Sequence, residues 1–262
     1  MTPHDEMSAV LAALGQHTRP TVTITPVKEA PEAPWSSKFG GQPWWPRDLD
    51  YPHSASGNPL YLLAQINLAE VPALPGFPNR GLLQFFIAND EVYGFDFERS
   101  VAEKMADPDG YRVVYHPQIV ADAALPVAEL PPLPTENLLP LCEEYALRFR
   151  AADDLPAPSD YGFEAIARSI DAIDETVIDS LYDMGLGTGS KLGGYAYFTQ
   201  EDPRGYERPG EEWVLLFQMD TSDEEDGVWI MWGDCGVGNF FIEPARLAAG
   251  DFSRVWYNWD CC

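Results

Sequence analysis

Short apolar runs broken by clusters of Gly, Pro, Asn and Asp dominate the chain, a pattern that predicts many brief strands joined by turns. "GLLQFFIANDEVYGFDFE" from Gly81 and "GVWIMWGDCGVGNFFIEP" from Gly227 each predict a strand, a tight turn and a second strand. Helical periodicity is clearest where Ile166, Ile170, Ile173, Val177, Leu181 and Met184 recur at spacings of four and three, with Gly185 as the stop. This helix is expected to pack between or across two lobes. Residues 5–14 predict a short N-terminal helix closed by Gly15, and a further helix is expected near 141–151. "ITPVKEAPEAPWSS" reads as a proline-rich lead, and the segment from Leu125 begins as a proline-rich connector.

One phrase is written twice. "SKFGG" at 37–41 returns as "SKLGG" at 190–194, using two of only four lysines. Lys38 and Lys191 are 153 positions apart, and so are Gln65 in "PLYLLAQINL" and Gln218 in "EWVLLFQMDT". A register held over such a span predicts an internal duplication. The expected organisation is an N-terminal helix and lead (1–34), a first β-rich lobe (35–120), a connector with the amphipathic helix (121–189) and a second β-rich lobe (190–262), in one compact unit. The fold class is α+β with a pseudo-twofold axis.

Within the phrase, Phe39 and Leu192 are core anchors, and the paired glycines permit positive φ or a close backbone approach. Lys38 and Lys191 have two readings. Each caps a carboxylate on a solvated face, or both line an inter-lobe cleft and receive an anion. Ser37 and Lys38 point to opposite faces of an extended segment, which excludes a Ser-Lys nucleophile pair.

The charge narrows the choice of partner. Against 42 acidic residues stand 16 basic ones, a formal −26, which disfavours nucleic acid and anionic membrane and suits a basic protein or peptide. Hydrophobic residues at 45% and aromatics at 13% indicate a globular chain. "MTPHDEMSAVLAALG" lacks a basic n-region and no apolar run approaches roughly 18 residues, so the expected location is the cytoplasm. Cys142, Cys235, Cys261 and Cys262 contain no C-x-x-C and suggest neither a disulfide framework nor a zinc site.

Candidate chemistry is sparse. His4, His17, His53 and His116 lack ligand spacing, so no metal and no cofactor are expected. "DTSDEEDG" at 220–227 puts Gly233 where a calcium loop needs its glutamate, and it reads instead as a solvated hairpin end. "MWGDCGVGNFF" is a glycine-rich turn in which Trp232 and Asp234 stand out, Asp234 being able to bond its own backbone. Trp44 and Trp45, flanked by prolines in "QPWWPRDLDYP", are either core or an exposed peptide-docking surface.

"SKFGGQPWWP", "PLYLLAQINLAEVP", "GLLQFFIANDEVYGFD", "LLFQMDTSDEEDGVWIMWGDCGVGNFFI" and the closing "DFSRVWYNWDCC" together resemble the bacterial YwqG-like family, a domain of unknown function. More remotely the paired signatures resemble the eukaryotic programmed cell death protein two and its yeast relatives, thought to be chaperones for a basic ribosomal protein. The resemblance implies two related β-rich lobes and no established catalytic residue. It marks Lys38, Gly40, Gly41, Gln65, Lys191, Gly193, Gly194, Gln218, Trp232 and Asp234 as motif positions. The leading functional expectation is a non-enzymatic protein- or peptide-binding module, chaperone-like or immunity-type, for a basic partner. The alternative is an enzyme or small-ligand binder that uses the cleft with its paired lysines.

Overall fold

The computed structural model describes residues 3–120, 124–170, 173–222 and 227–262. In chain order the elements are α1 (Pro3–Leu14), β1 (Arg19–Val27), β2 (Lys38–Phe39), β3 (Tyr61–Asn67), β4 (Leu82–Ile87), α2 (Val101–Ala106), β5 (Tyr111–His116), β6 (Tyr145–Asp154), α3 (Phe163–Ala167), α4 (Glu175–Asp183), β7 (Lys191–Gly193), α5 (Arg204–Glu207), β8 (Val214–Asp220), β9 (Val237–Ile242), α6 (Pro244–Ala249) and β10 (Trp256–Asp260). The ten strands form one sheet of order β10-β9-β8-β7-β1-β6-β2-β3-β4-β5, antiparallel throughout. Four strands follow in sequence on each side of a central β1–β6 pair.

That central pair corrects two expectations. The helix expected near 141–151 is strand β6, and part of the proline-rich lead is strand β1. "YALRFRAADD" carries buried Tyr145 and Leu147 at a period of two, and β1 supplies it with partners from Arg19↔Asp154 to Val27↔Ala146. Long-range pairing over nine residues outweighs the helix propensity of Leu, Arg and Ala.

The sheet curls until its ends face each other. Phe85 of β4 lies 4.6 Å from Phe217 of β8 and 4.9 Å from Phe240 of β9, ring centre to ring centre. At the two edges the Tyr111 hydroxyl donates to the Val255 carbonyl at 2.7 Å. The result is a nearly closed barrel filled by aromatic and aliphatic side chains from β3, β4, β8 and β9. β4 and β9 are buried at every position because their outer faces are covered as well. Trp45, Leu62, Phe86 and Leu130 form one outer cluster, and Phe198, Leu215, Phe241 and Trp256 belong to the other.

Each expected hairpin keeps one of its two strands, the first in one half (β4) and the second in the other (β9). After β4 the strand partner is β5, beyond α2, not the "YGFDF" stretch. In the other half Ile230 makes isolated bridges to Leu141 and Ser222, and the strand proper is β9. Structurally "GVGNFFI" from Gly236, rather than the stretch from Gly227, takes the place of "GLLQFFI": Gln65 opposes Gln84, and Gln218 opposes Asn239. The hairpin end expected at 220–227 falls partly on 223–226, outside the described residues.

The amphipathic stripe is also divided. α3 and α4 share it, and residues 171 and 172 between them lie outside the described residues. Asp174 starts α4 by accepting the Val177 N–H at 3.0 Å. Instead of bridging two lobes, Ile166, Ile170, Ile173, Val177 and Leu181 pack with Val10 and Leu14 of α1 in a satellite core, while Met184 stays exposed. Among the described residues no helix is long and apolar enough to cross a membrane.

Candidate functional site

The duplicated phrase occupies β2 and β7, the two shortest strands, and each of its residues has a physical task. The Ser37 hydroxyl accepts the Asn67 N–H at 2.9 Å, and the Ser190 hydroxyl accepts the Asp220 N–H at 3.1 Å. Lys38 Nζ donates to Glu144 Oε1 at 2.8 Å; Lys191 Nζ donates to Asp154 Oδ2 at 2.6 Å. The glycines Gly40, Gly41, Gly193 and Gly194 have φ of +66°, +69°, +66° and +79°, the left-handed region that a side chain disfavours. The second glycine of each pair is also where the carboxylate packs, since an added Cβ would strike Glu144 at Gly41 and Asp154 at Gly194.

Gln65 and Gln218 have no solvent exposure. Gln65 Oε1 accepts the Trp44 N–H at 2.9 Å, and its Nε2 donates to the Pro34 and Ser36 carbonyls, both at 2.9 Å. Gln218 Oε1 accepts the Tyr197 N–H at 2.8 Å, and its Nε2 donates to the carbonyls of Gly187 and Gly189 at 2.9 and 2.7 Å. Each of these partners is 153 positions from its counterpart. Both glutamines bind their own chain with all the capacity these bonds use.

The lysines do not share a cleft. Glu144 immediately precedes β6 and Asp154 ends it, so their ion pairs are separated by ten residues of extended strand, about 30 Å along the chain. Both ammonium groups are buried rather than on a solvated face. Burial pulls the Lys191 ammonium below its usual value, opposed by the Asp154 charge. Burial likewise raises the Asp220 carboxyl, against the hydrogen bonds it accepts from the Gly189 and Thr221 amides.

What the short strands leave is space. β2 pairs with β3 only at Gln65 and Ala64, so Tyr61 and Leu62 have a strand partner on one side alone, in β4. Beside them opens a notch of about 570 Å³, lined by Lys38, Gly40, Gly41, Glu143 and Glu144 and by Leu133 and Leu139 of the connector. The equivalent end of β7 opens a smaller notch of about 220 Å³ at Gly193 and Gly194, flanked by Val214 and Leu215 and closed over by Leu74 and Leu247. Tyr61 and Leu62 precede Val214 and Leu215 by the same 153 positions.

The family model described as "Domain of unknown function (DUF1963)" matches residues 37–261, from the first phrase to the end of the last strand. The chain belongs to this family. None of the curated proteins matches it.

The DUF1963 domain places the remaining candidates away from the notches. Trp44 and Trp45 are 3% and 2% exposed, so neither indole offers a docking surface. Both meet His116 edge to face, at 5.4 and 5.3 Å between ring centres. Trp232 is wholly buried against Tyr93 and Trp259, and Asp234 lies exposed on the turn that follows it.

A buried ionic cluster escaped the sequence reading. Arg204, 1% exposed, donates to Asp160 at 2.8 Å and to Asp202 at 2.5 Å, and its guanidinium sits 4.5 Å from the Phe241 ring centre. Burial works against its charge, but the two carboxylates prevail and hold it protonated. The cluster ties the segment before α3 to α5. No spacing signal links "SDYGF" to "EDPRGYE", because the pairing exists only in three dimensions.

Proposed function

We propose that this DUF1963 protein is a non-enzymatic binding module that takes an extended, basic segment of a partner protein into the larger notch. The observation that carries the reading is the early stop of β2 at Gly40–Gly41, which leaves Tyr61 and Leu62 with one strand neighbour beside about 570 Å³ of open, largely apolar space. A strand with a free side receives an extended chain by main-chain hydrogen bonding, while alternate side chains enter the apolar walls. Val127 and Leu133 on that wall are 65% and 52% exposed, apolar surface without a partner among the described residues.

Charge selects the partner. At least eight of the 16 Lys and Arg side chains are already held in ion pairs, so most of the acidic surplus stays open to solution. A basic segment is steered by that field, and the attraction weakens with salt. The same reading includes kinship with YwqG-like proteins and descent from a duplicated β unit. The shared glutamine, serine and lysine bonds at a constant offset support the duplication.

The test is fluorescence anisotropy with two labelled peptides of equal apolar content, one alternating apolar residues with Lys and Arg, the other with Glu. The basic peptide is expected to bind at low salt and to weaken as salt rises. Leu133→Arg is expected to lower its affinity about tenfold with little change in Tm, the site being half exposed. Equal binding of the acidic peptide, or no binding of either at low salt, defeats the proposal.

A further inference from the structure

The two copies of the phrase put the same ion pair to different use. In the first, Lys38 is buried while the Glu144 side chain stays 36% exposed and lines the larger notch. In the second, Lys191 is buried against an Asp154 that is 16% exposed, also accepts the Tyr195 N–H at 2.9 Å, and is absent from the lining of the smaller notch. Gln42 stands 153 positions before Tyr195, yet its amide makes no such bond. Among the described residues Glu144 accepts from Lys38 alone, through Oε1, and Oε2 has no partner.

The two notches therefore differ in charge. The Lys38–Glu144 pair is a dipole whose negative end is the accessible one, with the ammonium withdrawn at 6% exposure. Glu143 on the same notch is engaged by Lys28 at 2.9 Å, in a pair more than half exposed at both ends and so weak. At the smaller notch the acid is withdrawn, and the charged residue on the lining is Arg19.

On the reading that a basic segment occupies the larger notch, we propose that Glu144 is its charge selector: Oε2 accepts one Lys or Arg side chain of the segment while Oε1 keeps Lys38. A carboxylate has the capacity for both donors. The smaller notch lacks an accessible carboxylate and does not take the segment.

The experiment measures the anisotropy of a labelled peptide that alternates apolar residues with Lys, and of versions with one Lys at a time replaced by Gln, against the unaltered protein and Glu144→Gln. The amide keeps an oxygen for Lys38 and removes the charge. With the unaltered protein, replacement of one particular Lys is expected to weaken binding about fivefold; with Glu144→Gln the same replacement changes nothing, while the other positions lose equally with both proteins. Lys38→Met/Glu144→Gln, which leaves no buried ammonium unpaired, is expected to behave as Glu144→Gln does. Glu143→Gln is expected to retain the full effect. If the basic peptide fails to bind the unaltered protein, the reading of the notch falls and the selector with it. If it binds and no position couples to Glu144, or the coupling follows Glu143 instead, the notch stands and the role of Glu144 is overturned.

Discussion

Gln218 accepts the Tyr197 amide and donates to Gly187 and Gly189 just as Gln65 accepts the Trp44 amide and donates to Pro34 and Ser36. In each case a single buried amide satisfies three backbone groups that have left the sheet. Gln65→Leu or Gln218→Leu strands all three, at about 1–3 kcal/mol for each buried group left unpaired. At least about 3 kcal/mol and a Tm fall of roughly 6–12 °C are expected from either substitution in thermal unfolding. A loss under about 1 kcal/mol would mean that water replaces the side chain without cost.

The two lysine pairs predict unequal responses. Lys191 is 3% exposed beside an Asp154 that is 16% exposed, whereas Glu144, the partner of Lys38, is 36% exposed. Lys191→Met leaves a largely covered carboxylate without its counter-charge and is expected to cost about 3 kcal/mol. Lys38→Met is expected to cost about 1–2 kcal/mol, because Glu144 reaches water. The double variant Lys191→Met/Asp154→Asn should recover part of the loss. Urea unfolding checks the order; equal costs would show that burial does not set the value of these pairs.

The duplicated phrase was legible because five residues must each meet a fixed requirement: a serine bond, an ion pair, a core contact and two left-handed glycines. Gln65 and Gln218 were legible for the same reason, although their task is internal bonding and not ligand capture. β6 was hidden because Tyr145, Leu147 and Phe149 alternate in a segment whose composition suits a helix, and only the pairing with β1 decides between them. Trp44 and Trp45 had both a core and a docking reading in the sequence; burial favours the core, and Leu130, which packs on Trp45, lies some 85 positions later. The notches carry no motif of their own. They arise where a strand stops and its neighbours continue.

Gly94 and Gly110 touch backbone to backbone. A Cβ on either would collide with the carbonyl of the other, and Gly94 is also left-handed at φ +75°. The Gly110 carbonyl meanwhile accepts the Ala88 N–H at 2.8 Å, which fixes its position. Gly110→Ala is expected to cost more than about 3 kcal/mol or to prevent soluble expression. Gly15→Ala is the control, with nothing within 4 Å and no positive φ, and is expected to be neutral or slightly stabilising. Similar Tm values for the two variants would contradict the tight contact.

His116 makes stability depend on acid. Its ring meets both Trp44 and Trp45 edge to face, and its Nε2 is 3.0 Å from Gln84 Oε1. Burial pushes its pKa down from 6.5 to about 4. The folded protein therefore holds the neutral ring at a pH where the unfolded chain already binds a proton. This contribution is complete above about 6.5 and is lost as pH falls toward about 4. Urea unfolding from pH 7 to 4 should show a decline in stability approaching 1.4 kcal/mol per pH unit from this group. His116→Phe should remove that part of the slope while lowering stability at pH 7, since Gln84 Oε1 loses its Nε2–H donor. An unchanged slope in the variant would place the acid sensitivity on other groups.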